Sequence, residues 1–318
     1  MNYLYCFDKN YNIQGINSIN TLFMHSKSKI CIYIIHEEPN SIIKDLNDLK
    51  NQTLHEIKIF KYKKQYINFP RVEGTHVSDA TYYRLFLTDY LPDDLDYITY
   101  IDADILCLKD PNEVVSETIK NMNTFKNPLA AVTESVSDLE NINRLGLEQN
   151  KYFNAGVLII NLNIWNEKNN TNLFINNMNK IRDKILWWDQ DVLNFTFDGD
   201  YFEMNPLLNY QIEPNKNFDT KKIENEVIFL HYLGNTKPWS FKGFENNYSK
   251  YYQQNFRFLN RNKYHLVSKN LKQDTLKFFN ILINEITSIE FKISFISVSL
   301  VALITNFMYQ IKRKILKI

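Results

Sequence analysis

Tyr97-Ile98-Thr99-Tyr100-Ile101-Asp102-Ala103-Asp104 is an apolar run that ends in two carboxylates one residue apart. Strand side chains alternate faces, so the run predicts that Asp102 and Asp104 point the same way. They fall at the carboxyl end of a buried strand, where open α/β sheets keep their ligand sites. Two hard oxygen donors there suit a divalent cation, and a cation there suits a diphosphate. The plain alternative is a pair of surface acids that end a strand and begin a turn. Residues elsewhere in the chain decide between the two.

Strand-like and helix-like stretches alternate on both sides of this run. Strands are predicted at Leu4 to Phe7, Ile30 to Ile35, Leu54 to Phe60, Ala130 to Thr133, Ala155 to Asn161 and Val227 to Leu230. Helical stretches are predicted around Gly15 to Met24, from Asn40 or Ser41 to about Lys50, from Thr81 to Tyr90 before Pro92, and from Trp187. This alternation predicts βαβ units, a mostly parallel Rossmann-like sheet flanked by helices.

With 318 residues, the chain can hold one large α/β domain and an appendage. Its 44% hydrophobic content supports a sizeable core. The 37 basic and 36 acidic residues nearly cancel, so bulk electrostatics do not predict a nucleic-acid partner. Cys6, Cys31 and Cys107 fit neither a zinc site nor a disulfide framework. The N-terminus lacks the features of a signal peptide, and a cytoplasmic location is expected.

The tail changes character. Ile293, Ile296, Leu300, Ile304, Phe307 and Ile311 fall on one helical stripe, and Lys312, Arg313, Lys314 and Lys317 follow. The apolar stretch is shorter than the roughly 20 residues a bilayer span needs. The sequence therefore predicts a catalytic domain over residues 1–260 and a helical, basic and aromatic tail over 261–318. That tail is expected to lie on the inner face of the cytoplasmic membrane. Packing onto the catalytic domain and dimerisation are the alternatives.

Further residues carry chemistry. His231 ends an apolar run and could join the aspartates, a mixed O and N donor set that suits Mn²⁺, with Mg²⁺ as the alternative. Gly234 would let backbone approach a phosphate, and Lys237 would give it a point charge. Asp8 could accept from a base N–H, and Tyr11 offers a stacking face. Arg84 could orient Asp102 or reach a sugar hydroxyl. Asn154, with Gly156 leaving room, and Asp189 with Gln190 near a helix start, form a candidate sugar-binding wall. Each of these also has a structural reading: an ordinary loop residue, an ion pair, or an N-cap for Asp189.

Taken in order, the motifs at Asp8 to Tyr11, Ala80 to Arg84, Asp102 to Asp104, Phe153 to Val157, Asp189 to Asp191 and His231 to Trp239 resemble glycosyltransferase family 8. Within the family, the resemblance is to bacterial lipooligosaccharide and lipopolysaccharide galactosyl- and glucosyltransferases. It implies a GT-A fold and a retaining enzyme that moves a hexose from a UDP-sugar to a hydroxyl of a saccharide acceptor, itself expected to be lipid-linked. It implies that Asp8, Asn10 and Tyr11 hold the uridine. Asp102, Asp104 and His231 would hold the metal, and Gly234 and Lys237 the phosphates. Arg84, Asn154, Asp189 and Gln190 would hold the donor sugar. Cys6, Ala103, Ala155 and Gly156 are counted with the donor contacts, and His76 falls near the acceptor. The rival readings are an aspartate-dependent phosphohydrolase and a non-catalytic, membrane-associated sugar-binding protein.

Overall fold

The computed structural model describes residues 1–267 except 52, 64–66, 72–77, 135–138, 168–169, 214–216, 245 and 261–262, together with 304, 308 and 311. The predicted tail stripe and His76 lie outside the described residues, apart from single positions of the stripe. The chain forms two compact units, one of Met1–Tyr210 with Asp219–His231 and the other of Gln211–Phe218 with Tyr232–Ile318.

The first unit is built on a seven-stranded sheet. Its strands are β1 (Asn2–Cys6), β2 (Cys31–His36), β3 (Glu56–Lys61), β4 (Tyr97–Ile101), β6 (Leu129–Thr133), β7 (Phe153–Asn161) and β8 (Phe202–Glu203), in the order β3-β2-β1-β4-β7-β6-β8. β1, β2, β3 and β4 are mutually parallel, and β6 pairs parallel with β8. The mostly parallel sheet follows the alternation seen in sequence. β7 departs from it, running antiparallel to both β4 and β6. All nine of its residues are buried, as expected of a strand covered on both faces. A short strand, β5 (Ile105–Cys107), pairs antiparallel with β10 (Phe229–Tyr232); β9 (Tyr210–Ile212) lies between them in sequence.

Helices of this unit are α1 (Asn12–His25), α2 (Ile43–Lys50), α3 (Asn112–Phe125), α4 (Leu139–Leu145), α5 (Leu162–Glu167), α6 (Asn170–Lys180), α7 (Trp188–Phe197) and α8 (Thr220–Asn225). The segment predicted as a helix from Thr81 is instead a 3-10 stretch over Asp79–Asp89, broken by non-helical backbone at Phe86. Seven of its residues are buried, Arg84 among them, so packing against the sheet prevails over regular α geometry. The core below combines Leu4, Tyr100, Phe153, Leu158, Trp165 and Phe174 with the buried face of α7. In the second unit, α9 (Phe241–Phe244) and α10 (Ser249–Leu259) accompany an aromatic cluster of Trp239, Tyr252, Phe256 and His265. No helix among the described residues is long and apolar enough to cross a membrane.

Candidate active site

Two strand ladders aim the site. β4 pairs with β7 up to Ile101 opposite Val157, and the next backbone amide, Asp102 N–H, donates to Gly156 O at 2.9 Å. β5 pairs with β10 so that Ile105 faces His231. Between the ladders, Asp102, Ala103 and Asp104 form a turn closed by Ile105 N–H donating to Asp102 O at 3.2 Å. This corrects the expected cause. The strand stops at Ile101, so a turn, and not strand alternation, brings the two carboxylates to one side. Potential ligand atoms of Asp102, Asp104 and His231 lie within 4.8 Å of one another, with His231 Nε2 3.7 Å from Asp104 Oδ1. Two carboxylates and one imidazole fit a divalent cation of borderline character.

Arg84 lies between this triad and the candidate sugar-binding wall. Its guanidinium is 3.4 Å from Asp102 Oδ1 and 2.6 Å from Asp189 Oδ2, donates to Ala155 O, and stacks 4.1 Å over the Tyr100 ring. Tyr100 OH donates to Asp102. Burial raises the Asp102 carboxyl to about 7, a rise that Arg84 opposes and Asp104 reinforces. Two acids this close gain from a cation placed between them. Asp189 is buried and raised for the same first reason, with Arg84 opposing. It is not an N-cap. The α7 cap position is Trp187, and the Asp189 side chain receives the Thr81 hydroxyl and Arg84.

The wall forms a hydrogen-bonded set. Gln190 Oε1 accepts from Ala155 N–H at 2.9 Å, and its amide nitrogen donates to Tyr152 OH at 3.2 Å and to Glu134 at 3.4 Å. Asn154 donates to Glu134 Oε1 at 2.8 Å and accepts from Gly156 N–H at 2.9 Å. Gly156 is required sterically, because a Cβ there would sit 2.4 Å from His231 Cε1. At the end of β1, Asp8 caps a 3-10 turn by accepting from Asn10 N–H at 2.9 Å and from the Asn10 side chain at 3.1 Å. The Tyr11 phenol is pushed up by burial, with the charges of Asp104 and Asp102 adding to the rise. Burial likewise raises the Cys6 thiol, a rise that Arg84 opposes and Asp102 and Asp189 reinforce. Gly234 and Lys237 fall in the second unit. There Gly234 adopts φ +70°, and the buried Lys237 ammonium donates to Tyr232 O.

The model of glycosyl transferase family 8 matches residues 2–243. The chain belongs to this family. A candidate glycosyltransferase of Haemophilus influenzae is 31% identical over 253 residues, covering 75% of this chain and 73% of that protein. Lipopolysaccharide 1,2-glucosyltransferase of Escherichia coli is 29% identical over 248 residues, 73% of this chain and 71% of that one. Lipopolysaccharide 1,3-galactosyltransferase of Salmonella typhimurium is 32% identical over 175 residues, 50% of this chain and 49% of that one. The crystal structure of the galactosyltransferase LgtC with donor and acceptor sugar analogues has a TM-score of 0.64 at 20% identity, covering 86% of this chain and 100% of that chain. The shared fold is the expected GT-A arrangement.

Sequence reading of this family 8 chain missed several groups that hold the site. Thr81, Tyr100 and Tyr152 contact the acids directly, Glu134 anchors Asn154 and Gln190, and Asn209 bonds His231 Nδ1 at 2.9 Å. Glu134 carried a usable signal, since it directly follows an apolar strand in the manner of Asp102. Asn209 carried none.

Proposed function

We propose that this family 8 enzyme transfers a hexose, galactose or glucose, from a UDP-sugar to a saccharide hydroxyl with retention of configuration. The proposed acceptor is a lipooligosaccharide or lipopolysaccharide, a class that rests on the named activities of the Escherichia coli and Salmonella relatives. The observation that carries the donor half is the convergence of Asp102, Asp104 and His231 beside the Arg84–Asp189 pair. A divalent ion held by the three, Mn²⁺ in preference to Mg²⁺, would supply positive charge to the diphosphate leaving group.

The chain's own residues would do the rest. Asn154 and Gln190 present amide groups fixed by Glu134, Ala155 and Tyr152, suited to orienting sugar hydroxyls. Arg84 holds the Asp189 carboxylate in place and offsets its charge. A double displacement needs an available carboxylate beneath the anomeric carbon. Asp189 is engaged by Arg84 and Thr81, and Asp191 is fully buried against Arg144 and Tyr152. This favours front-face attack, in which a leaving phosphate oxygen takes the acceptor proton. A glycosyl group trapped on Asp189 or Asp191 would overturn that route.

The test is a panel of UDP-sugars scored for UDP release with Mn²⁺, with chelator, and with and without lipopolysaccharide acceptor. Metal-dependent release from UDP-galactose or UDP-glucose, stimulated by acceptor, is the expected result. Absence of metal-dependent release from every UDP-hexose rejects the donor assignment. We propose residues 261–318 as a peripheral membrane attachment, to be tested by flotation of the full chain with anionic vesicles.

A further inference from the structure

His231 has two ring nitrogens, and a ring nitrogen ligates a cation through its lone pair. The hydrogen bonds behind the ring decide which nitrogen that is. They start at a group whose role is fixed covalently, the Gly156 backbone N–H. It lies 2.9 Å from one side-chain atom of Asn154, which must therefore be the amide oxygen. The other end of that amide lies 2.8 Å from a carboxylate oxygen of Glu134 and must be the NH₂. The two constraints agree. Asn154 Oδ1 also faces Asn209 at 2.9 Å, so the facing atom of Asn209 is its NH₂. The remaining oxygen of Asn209 lies 2.9 Å from His231 Nδ1, which must carry the hydrogen. Nε2, directed at Asp104 Oδ1 3.7 Å away, is then the lone-pair position on the side of the two aspartates. Asn154, Asn209 and His231 are 5%, 2% and 5% exposed, so water competes little for these bonds.

We propose that Asn209 is a positioning residue that holds His231 in its Nδ1–H form, so that Nε2 meets a divalent cation, and that Asn154 sets the orientation of Asn209. The other neutral form would set the Nδ1 lone pair against Asn209 Oδ1 in a buried place. The inference rests on the metal reading proposed above and adds a consequence. One amide of the sugar wall governs the imidazole of the metal triad, so donor-sugar and metal contacts share a hydrogen-bonded chain. Outer partners of this kind tune ligand affinity by about 10–100-fold.

The test uses the full chain with ¹⁵N-labelled histidine, free of metal and above the imidazole titration range. The resonance of His231 is identified by its loss in His231→Gln. The expected spectrum has Nδ1 protonated and Nε2 bare; a protonated Nε2 overturns the proposal without any variant in the relay. Mn²⁺ alone is then titrated, with the free ion followed by electron paramagnetic resonance. Asn209→Leu should weaken Mn²⁺ binding by about 10–100-fold, and Asn154→Leu should weaken it in the same direction. A folded Asn209→Leu with the wild-type unfolding midpoint and wild-type Mn²⁺ affinity overturns the proposal. Should Asn209→Leu fail to fold, the wild-type spectrum alone decides. Wild-type protein that shows the Nδ1–H form yet binds no Mn²⁺ sinks the metal reading and leaves the relay standing.

Discussion

Two arginine–aspartate pairs spring from the same turn of α7, and they are built for opposite ends. Asp189 and Asp191 lie two residues apart, about 200° around the helix axis, and are 1% and 0% exposed. Asp191 is saturated. It accepts two bonds from Arg144 at 2.9 Å, one from Tyr152 OH at 2.7 Å, and the Leu186 and Trp187 backbone N–H groups at 2.8 Å each. It thereby braces the chain where Trp188 takes φ +48° at the start of the helix. Asp189 is held chiefly by Arg84 and Thr81, and its arginine is shared with Asp102 and the Tyr100 ring. A carboxylate with every lone pair answered is a brace. Asp189 instead hangs on an arginine shared with the candidate cation triad, so its position is coupled to the site. We expect this difference to separate a structural acid from a site acid within one Asp-Gln-Asp motif.

The largest effect that tests this contrast is expected from Arg84→Met. It leaves the buried Asp189 and the half-buried Asp102 without their counter-charge and should lower the unfolding free energy by about 3–5 kcal/mol, measured by urea denaturation. Asp189→Asn should cut UDP-hexose turnover by roughly 10²–10³-fold while Mn²⁺ affinity stays near wild type. Arg144→Met should cost about 1–3 kcal/mol of stability yet leave turnover per folded molecule within a few-fold. If it reduces turnover as severely as Asp189→Asn, the division into brace and site acid fails.

His265 sharpens the comparison as a buried group whose ring contacts are a Tyr252 hydroxyl and aromatic faces. Burial lowers its pKa to about 3. Its folded value lies below the unfolded one near 6.5, so the unfolded chain binds the proton more readily. This group's contribution is complete above pH about 6.5 and is lost as pH falls toward 3, by up to about 1.4 kcal/mol per pH unit. His265→Gln should flatten the slope of unfolding free energy against pH in that window. An unchanged slope refutes the assignment.

Much of the fold was legible because buried strands write themselves as short apolar runs between turn residues; β2, β4 and β7 were all found this way. The direction of β7 was not legible, since a strand buried on both faces reads the same either way. Helix α3 passed unread because its buried positions reduce to Val115, Thr118 and Met122, a weak stripe. At the site, Asp102, Asp104 and His231 were found by residue type and strand context, although the reason given for the first two, strand alternation, gives way to a turn. Asn209 escaped because its value lies in partners 55 and 22 residues away, and nothing in the Leu207-Leu208-Asn209 neighbourhood records them.

Gly156 spaces β7 from the imidazole more tightly than any side chain allows, while its own carbonyl receives Asp102 N–H. A single methyl group there would evict the ring without altering one liganding atom. Gly156→Ala is thus a means of disrupting the candidate cation triad that leaves every candidate donor chemically intact, separating the loss of a geometry from the loss of a functional group.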